Sequence, residues 1–398
     1  MIDYVKIPVA IQIICDDVGW QEGVDGRLDG KPSRSGLTRR HSPLDYKILN
    51  EIGKAVDMKI ACPFIIGEWD KDNVLRGEKN ITYDEKGWDR KNEINYNVAQ
   101  KCFEEIEKSE YIEITFHGLL HGFYHNDEQI CETEFSHPPF DEKSGTFKEG
   151  AVMLSPDEMQ RHIDLFYKIY NSWGFTKKIR SFCAPASIFN KPEELTDFVK
   201  VLRDNGFLYW SNTWDVLMDS TCVIDGVTFM QKKITGPRFE HYDVDPALLI
   251  DGCSPMKWRN TPVGHDACAL GFHWTNFVRL DPENNLERLP DWVKFLKRQE
   301  NVFGQILSKD IAFAASQVLY NRFSKITLLD DKCIIDLSDV IAQGALELKN
   351  EFYVSIMFDH IPKSITGGSL ELYDQKVEFN TYKIKVEPEV SKVEILFK

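Results

Sequence analysis

The stretch Val9-Ala-Ile-Gln-Ile-Ile-Cys-Asp-Asp-Val-Gly19 decides the fold. Its apolar residues are nearly continuous and stop at two adjacent carboxylates, Asp16 and Asp17. A short apolar run that ends in acids reads as a buried strand delivering polar groups at its carboxyl end. A second such stretch, Tyr111-Ile-Glu-Ile-Thr-Phe-His-Gly118, ends in His117, and His121 and His125 follow at intervals of four. Three of the chain's ten histidines therefore fall within nine residues directly behind a strand.

Outward from these two strands the chain alternates. Ser42-Pro43 opens a helix to about Val56, with serine as cap and proline at the first helical position. MKIACPFII (58–66) is the next strand, followed by a polar segment with Gly67, Gly77 and Gly87 and a helix near 95–108. Ser155-Pro156-Asp157-Glu158 is a capping box that starts a long amphipathic helix to about Trp173. KIRSFCAP (178–185) and FLYWSN (207–212) are strands on either side of a helix over 191–205 that Gly206 stops. ACALGFHW (267–274) is a late strand, and 290–300 and 309–323 are closing helices. Repeated βα units predict a parallel sheet with crossover helices, either open or closed into a barrel.

From about Ser324 the period changes. KITLLDD, CIIDLS, ALELKN, FYVSIMF, SLELYD, VEFNTYKIKV and KVEILF are short, often alternating segments separated by turn residues. They predict a small antiparallel β-sandwich, dividing the chain into an α/β unit over 1–324 and a sandwich over 325–398.

Charge narrows the partners. A formal net charge of −15, with no basic run, argues against nucleic acid and against an anionic membrane surface. No apolar stretch approaches the roughly 20 residues of a membrane-spanning helix. The apolar N-terminus lacks a basic flank and a small-residue cleavage site, and it leads straight into Asp16-Asp17. The nine cysteines include no CxxC pair, so reduced thiols and a cytoplasmic location are expected. A homo-oligomer is compatible with all of this.

The chemistry is placed at the carboxyl ends of the strands, where α/β barrels carry their active sites. One carboxylate and two imidazoles, Asp17, His117 and His121, make a common ligand set for one divalent ion, with positions left open for water and substrate. Zinc is the first expectation; cobalt, nickel, iron and manganese fit the same donors. Asp16, beside the ligand, is placed to accept a proton from the attacking water. Neighbouring side chains of an extended strand face opposite ways, so both carboxylates reach one site only if the strand ends and bends there.

These residues resemble the motifs of the polysaccharide deacetylase (NodB-homology) superfamily of carbohydrate esterases, whose fold is a distorted seven-stranded β/α barrel. Ile14-Cys15-Asp16-Asp17-Val18-Gly19 matches the motif in which the first aspartate is the general base and the second a metal ligand. His117-Gly-Leu-Leu-His121 matches the two-histidine metal motif, and Leu270-Gly-Phe-His273 matches the last motif, whose histidine is the general acid. The resemblance spans roughly residues 8–320. It implies a metal-dependent hydrolase that removes an N- or O-acyl group from a glycan or glycan precursor, for example in surface-polysaccharide assembly. The chain departs from the family where an arginine, two residues before a proline, orients the base: Cys183 stands there, before Pro185. Arg180 is the remaining candidate for that role. The tyrosine expected after the proline is also replaced, by Ala186-Ser187, and Trp214-Asp215 lie where a fourth motif is expected.

Around this centre, Trp20, Trp210, Trp258 and Trp274 are candidates for stacking on a sugar face, because a pyranose presents apolar CH groups to an aromatic plane. His125 and the turn at Pro185 are expected to line the substrate groove, and His265-Asp266 is a further candidate pair. Two alternatives remain at this level. The barrel keeps its metal but acts as a carbohydrate-binding or assembly component, or it hydrolyses small amides and imides.

Overall fold

The computed structural model describes residues 4–22, 35–186, 188, 194–212, 222–237, 240–249 and 269–398. Seven parallel strands close into a barrel: Val9–Asp16, Ile60–Phe64, Ile112–Phe116, Ser181–Cys183, Tyr209–Asn212, Val227–Ile234 and Ala269–His273. Each pairs with the next in chain order, and the seventh returns to the first, with His273 opposite Asp16. Strand order equal to chain order is what successive right-handed βα units generate.

The barrel is distorted at its seam. The seventh strand pairs with Gln12–Asp16, the upper half of the first strand, whereas Gln305–Leu307 pairs with its lower half, Val9–Ile11. One eight-residue strand therefore serves these two neighbours in addition to Ile60–Phe64. All eight of its residues are buried, as expected of a strand covered on both faces.

The helices begin where the sequence predicts. Ser42 caps Pro43–Val56 and Ser155 caps Pro156–Trp173, each in a reciprocal capping box with Asp45 or Glu158. Ile311–Phe323 is buried on nearly every side because it lies between the barrel and the C-terminal sheets. Its Gln317 side chain donates to the carbonyls of Pro8 and Tyr353 and accepts from the Tyr353 amide, so a polar side chain in this seam is fully used.

Beyond the barrel lie two four-stranded antiparallel sheets. Lys325–Leu328, Lys332–Asp336, Lys392–Phe397 and Pro362–Thr366 form one. Glu351–Met357, Phe379–Val386 and Gly368–Gln375 form the other, together with the N-terminal Val5–Lys6. The start of the chain thus belongs with the C-terminal sheets, a pairing that a division into 1–324 and 325–398 does not anticipate. Alternate residues such as Val393, Ile395 and Phe397 are buried and join one continuous apolar core with the barrel.

Three sequence expectations change. Ala345–Asn350 is not a strand, and a short helix, Ser338–Ala342, precedes it. The strands Val227–Ile234 and Pro362–Thr366 were not anticipated. The helix expected over 191–205 is described as Thr196–Asp204.

Candidate metal centre and active site

Asp16 is the last residue of the first strand, and Asp17 takes φ 63°, in the left-handed region that is costly for a residue with a Cβ. That break lets consecutive carboxylates serve one site. His121 is also left-handed, at φ 70°, and closes the turn that returns toward His117. Two of the three expected ligands thus sit in strained backbone, which persists only where the surroundings fix it.

Asp17 Oδ1 lies 3.3 Å from Nε2 of His117 and 3.3 Å from Nε2 of His121. All three side chains are buried, and among the described residues this is the group of His, Cys, Asp and Glu whose donor atoms converge. Ligand atoms held about 2.0–2.1 Å from a tetrahedral ion stand about 3.3 Å apart, so the spacing fits zinc or a similar dication. His117 supports the fit through its other nitrogen. Nδ1 is 2.6 Å from the carbonyl oxygen of Cys183, which can only accept, so Nδ1 carries the proton and Nε2 presents its lone pair.

Titration follows the same geometry. Burial opposes ionisation of Asp17, but the charge of His121 and bonds from His117 and His121 hold its carboxyl well below the usual range. Burial likewise opposes protonation of His117, yet the bonds to Asp17 and to Cys183 raise it to about 10. A positive charge is favoured between these groups, as expected of a cation site.

The remaining barrel residues surround this cluster. His273 faces Asp16 in register; its Nδ1 donates to the Pro237 carbonyl at 2.9 Å, and its Nε2 is 4.0 Å from Asp17 Oδ2. Asp16 Oδ2 is 2.6 Å from Lys232 Nζ, and Asp16 Oδ1 is 3.4 Å from Cys183 Sγ. Outside the barrel wall, Glu134 accepts the amide protons of Leu119 and Leu120 at 2.7 and 3.1 Å, and its other oxygen accepts from His162 Nδ1 at 2.6 Å. A Cβ on Gly118 would come within 2.5 Å of that carboxylate, so glycine is required between the ligands as well as permitted by φ 82°. Lys232, Glu134 and His162 were not singled out from the sequence. The only signal for Lys232 was a polar Gln231-Lys232-Lys233 run after an apolar start, which hides a strand whose end faces a polar site.

Other expected site residues stand elsewhere. Arg180 precedes its strand, at the amino end opposite the ligands, where it pairs with Glu347 and lies over the Tyr209 ring. It does not reach Asp16, because a position three residues from Cys183 faces the other way in a strand. Trp210 is buried against Phe182, Phe198 and Phe229, and Trp274 is buried over Tyr46 with Nε1 donating to the Asp45 carbonyl. Both are core residues rather than sugar platforms, and Trp20 is also buried. His125 packs by Phe140 and Phe147 with Nδ1 near Asn80 Oδ1, outside the ligand cluster. Pro185 is buried in the turn after Cys183, where Ala186 is left-handed. Ser187, Trp214, Asp215, Trp258, His265 and Asp266 lie outside the described residues.

No protein-family model and no curated protein matches the chain. Among solved structures, it is similar to one described as a putative polysaccharide deacetylase from Mycobacterium smegmatis, at 12% identity and a TM-score of 0.39 over 81% of this chain and 94% of that one. It is also similar to a CE4 family pseudoenzyme from Bacillus anthracis, at 11% identity and a TM-score of 0.34 over 76% of this chain. The chain spans 66% of the length of that pseudoenzyme. A mutant of the same pseudoenzyme with restored enzymatic activity matches at 13% identity and a TM-score of 0.33, over 76% of this chain and 69% of that one.

Proposed function

We propose that this protein is a metal-dependent hydrolase that removes an N- or O-acyl group, acetyl first, from a carbohydrate. The observation that carries the reading is the placement of two proton-transfer groups, Asp16 and His273, on neighbouring strands beside a buried set of three ligand atoms. A carbohydrate is favoured by the order and placement of the three sequence motifs that end at Asp17, His121 and His273.

A divalent ion held by Asp17, His117 and His121, zinc first, would supply Lewis acidity at the acyl carbonyl and lower the pKa of a water. Asp16 takes the proton of the attacking water. Because His273 commits its Nδ1 proton to the Pro237 carbonyl, Nε2 is the nitrogen that protonates the departing amine or alcohol. We place the protein in the cytoplasm, acting on a glycan precursor, in keeping with the thiols of Cys15, Cys62, Cys102, Cys131, Cys183 and Cys333, none of which forms a disulfide.

The test is release of acetate from acylated glycans by purified protein after restoration of zinc or cobalt. Asp16→Asn should abolish release while metal content stays at the wild-type level. Glycan binding with no release by the wild-type protein would replace the hydrolase reading with that of a carbohydrate-binding component. Release from small imides but from no glycan would move the substrate to that class.

A further inference from the structure

We infer that Lys232 is the residue that positions Asp16 for proton transfer, a cation supplied by the sixth strand, which only the seventh separates from the strand of Asp16. The inference rests on the reading of Asp16 as the base and adds what holds that base in place. Lys232 Nζ is 2.6 Å from Asp16 Oδ2 and 3.2 Å from Cys183 Sγ, and the Cys183 thiol is 3.4 Å from Asp16 Oδ1. Each oxygen of Asp16 therefore has a defined neighbour. The side chains of Lys232 and Asp16 are only 4% and 8% exposed, and Cys183 is fully buried.

An ammonium carried on four methylenes is rarely buried to this degree without a partner, because desolvation costs several kcal/mol per ion. Once paired, neither group can rotate away without stranding the other in a dry environment, so the lysine fixes the rotamer of the aspartate. The fold also makes room for the lysine stem. Gly271 lies on the adjacent strand, and a Cβ there would come within 3.1 Å of Lys232 Cγ. The barrel thus gives up a side chain where the lysine passes. The same ion pair keeps Asp16 turned to Lys232, leaving Asp17 to His117 and His121, so that two adjacent carboxylates take separate tasks.

Cys183 offers a way to separate charge from packing. Its thiol lies beside Asp16 Oδ1, so a longer cationic side chain at 183 would meet the same carboxylate from the neighbouring side. The experiment compares the zinc-loaded wild type with Lys232→Gln, Lys232→Arg and the pair Lys232→Ala with Cys183→Arg. Acetate release and the crystallographic orientation of Asp16 are both read. Lys232→Gln should bind zinc, lower kcat by about 100-fold with KM little changed, and release Asp16 from its rotamer. Lys232→Arg should retain more activity than Lys232→Gln. The relocated cation in the paired variant should restore at least tenfold over Lys232→Ala.

A Lys232→Gln protein that keeps both its kcat and the wild-type Asp16 orientation overturns the inference. Equal loss in all variants, with Asp16 unmoved, also overturns it, because the effect would then be packing alone. If Lys232→Gln does not fold, the comparison of Lys232→Ala with and without Cys183→Arg decides by the same two readouts. Movement of Asp16 in Lys232→Gln, in a protein whose wild type releases no acyl group from any glycan, supports the positioning role and rejects the hydrolase reading instead.

Discussion

His117 donates its Nδ1 proton to the carbonyl oxygen of Cys183 at 2.6 Å, so a residue at the end of the fourth barrel strand sets the ring orientation of a ligand at the end of the third. The consequence is that Nε2 faces Asp17 with a lone pair, and two electron-rich groups 3.3 Å apart call for a cation between them. In the absence of an ion, a proton on His117 fills that role. With an ion present, the proton is displaced, and metal binding releases acid.

Metal content is therefore the first prediction. Protein purified without added ion should carry close to one divalent ion per chain, and Asp17→Ala, His117→Ala and His121→Ala should each lose it. Removal by a chelator should lower the midpoint of thermal unfolding, and restoring zinc to 100 times its Kd should return about 2.7 kcal/mol. Elemental analysis with calorimetry reads both. Unchanged metal content in Asp17→Ala and His121→Ala would falsify the site.

Glu134 gives the second. It binds the two amides between His117 and His121 with one oxygen and His162 with the other, and both side chains are buried. Glu134→Ala leaves three buried donors without their acceptor, each worth about 1–3 kcal/mol, and should also weaken zinc binding by about 10–100-fold. Competition with a chromophoric chelator measures the second effect. Wild-type zinc affinity in a folded Glu134→Ala protein would remove Glu134 from the metal site and leave it a stabilising role only.

The repeated βα units and the pairing of Asp17 with His117 and His121 are legible in local signals, an apolar run, a terminal acid and histidines at fixed spacing, whereas closure into a barrel is implied only by the family resemblance. The strand Val227–Ile234 is not legible, because Lys232 turns into the barrel interior toward Asp16 and, with the polar Gln231 and Lys233 beside it, breaks the apolar pattern. Without that strand the cation beside Asp16 stays hidden, and the arginine offered by the sequence, Arg180, stands at the wrong end of its strand. Trp210 and Trp274 were read as sugar platforms because sequence cannot show which side of a barrel wall a ring occupies. Glu134 and His162 are joined to the ligands only through the fold, 28 residues apart from one another.

Those reassignments yield a third prediction. Arg180→Met removes an ion pair with Glu347 in which both side chains keep substantial solvent contact, and should cost about 0–1 kcal/mol with no change in kcat or KM. Trp210→Ala should cost about 3–5 kcal/mol, because its ring fills the space between Phe182, Phe198 and Phe229, while Trp210→Phe should leave KM for a glycan unchanged. Steady-state kinetics on the folded variants checks this. A fivefold rise in KM for Trp210→Phe would return that ring to the substrate groove.

The last prediction concerns acid. His41 is buried beside Tyr46 and Trp69, with its Nδ1 2.8 Å from the Tyr46 hydroxyl. Burial, with the nearby charges of Arg90, Arg39 and Arg40, lowers its pKa to about 3. The folded state therefore holds a neutral imidazole, whereas the unfolded chain protonates it near its ordinary value of about 6.5. Between those two values the unfolded state binds more protons, so stability is fully present above about pH 6.5 and declines as pH falls toward 3, by about 1.4 kcal/mol per pH unit. From pH 7.5 to 5.0 the contribution of His41 alone should fall by about 2 kcal/mol. Urea unfolding of the wild type and of His41→Gln at both pH values isolates it, since other titrating groups are common to both proteins. The wild type should lose about 2 kcal/mol more than the variant over that interval. Equal losses would mean that His41 is already protonated in the folded protein, and that the arginines around it are screened by groups beyond the contacts described.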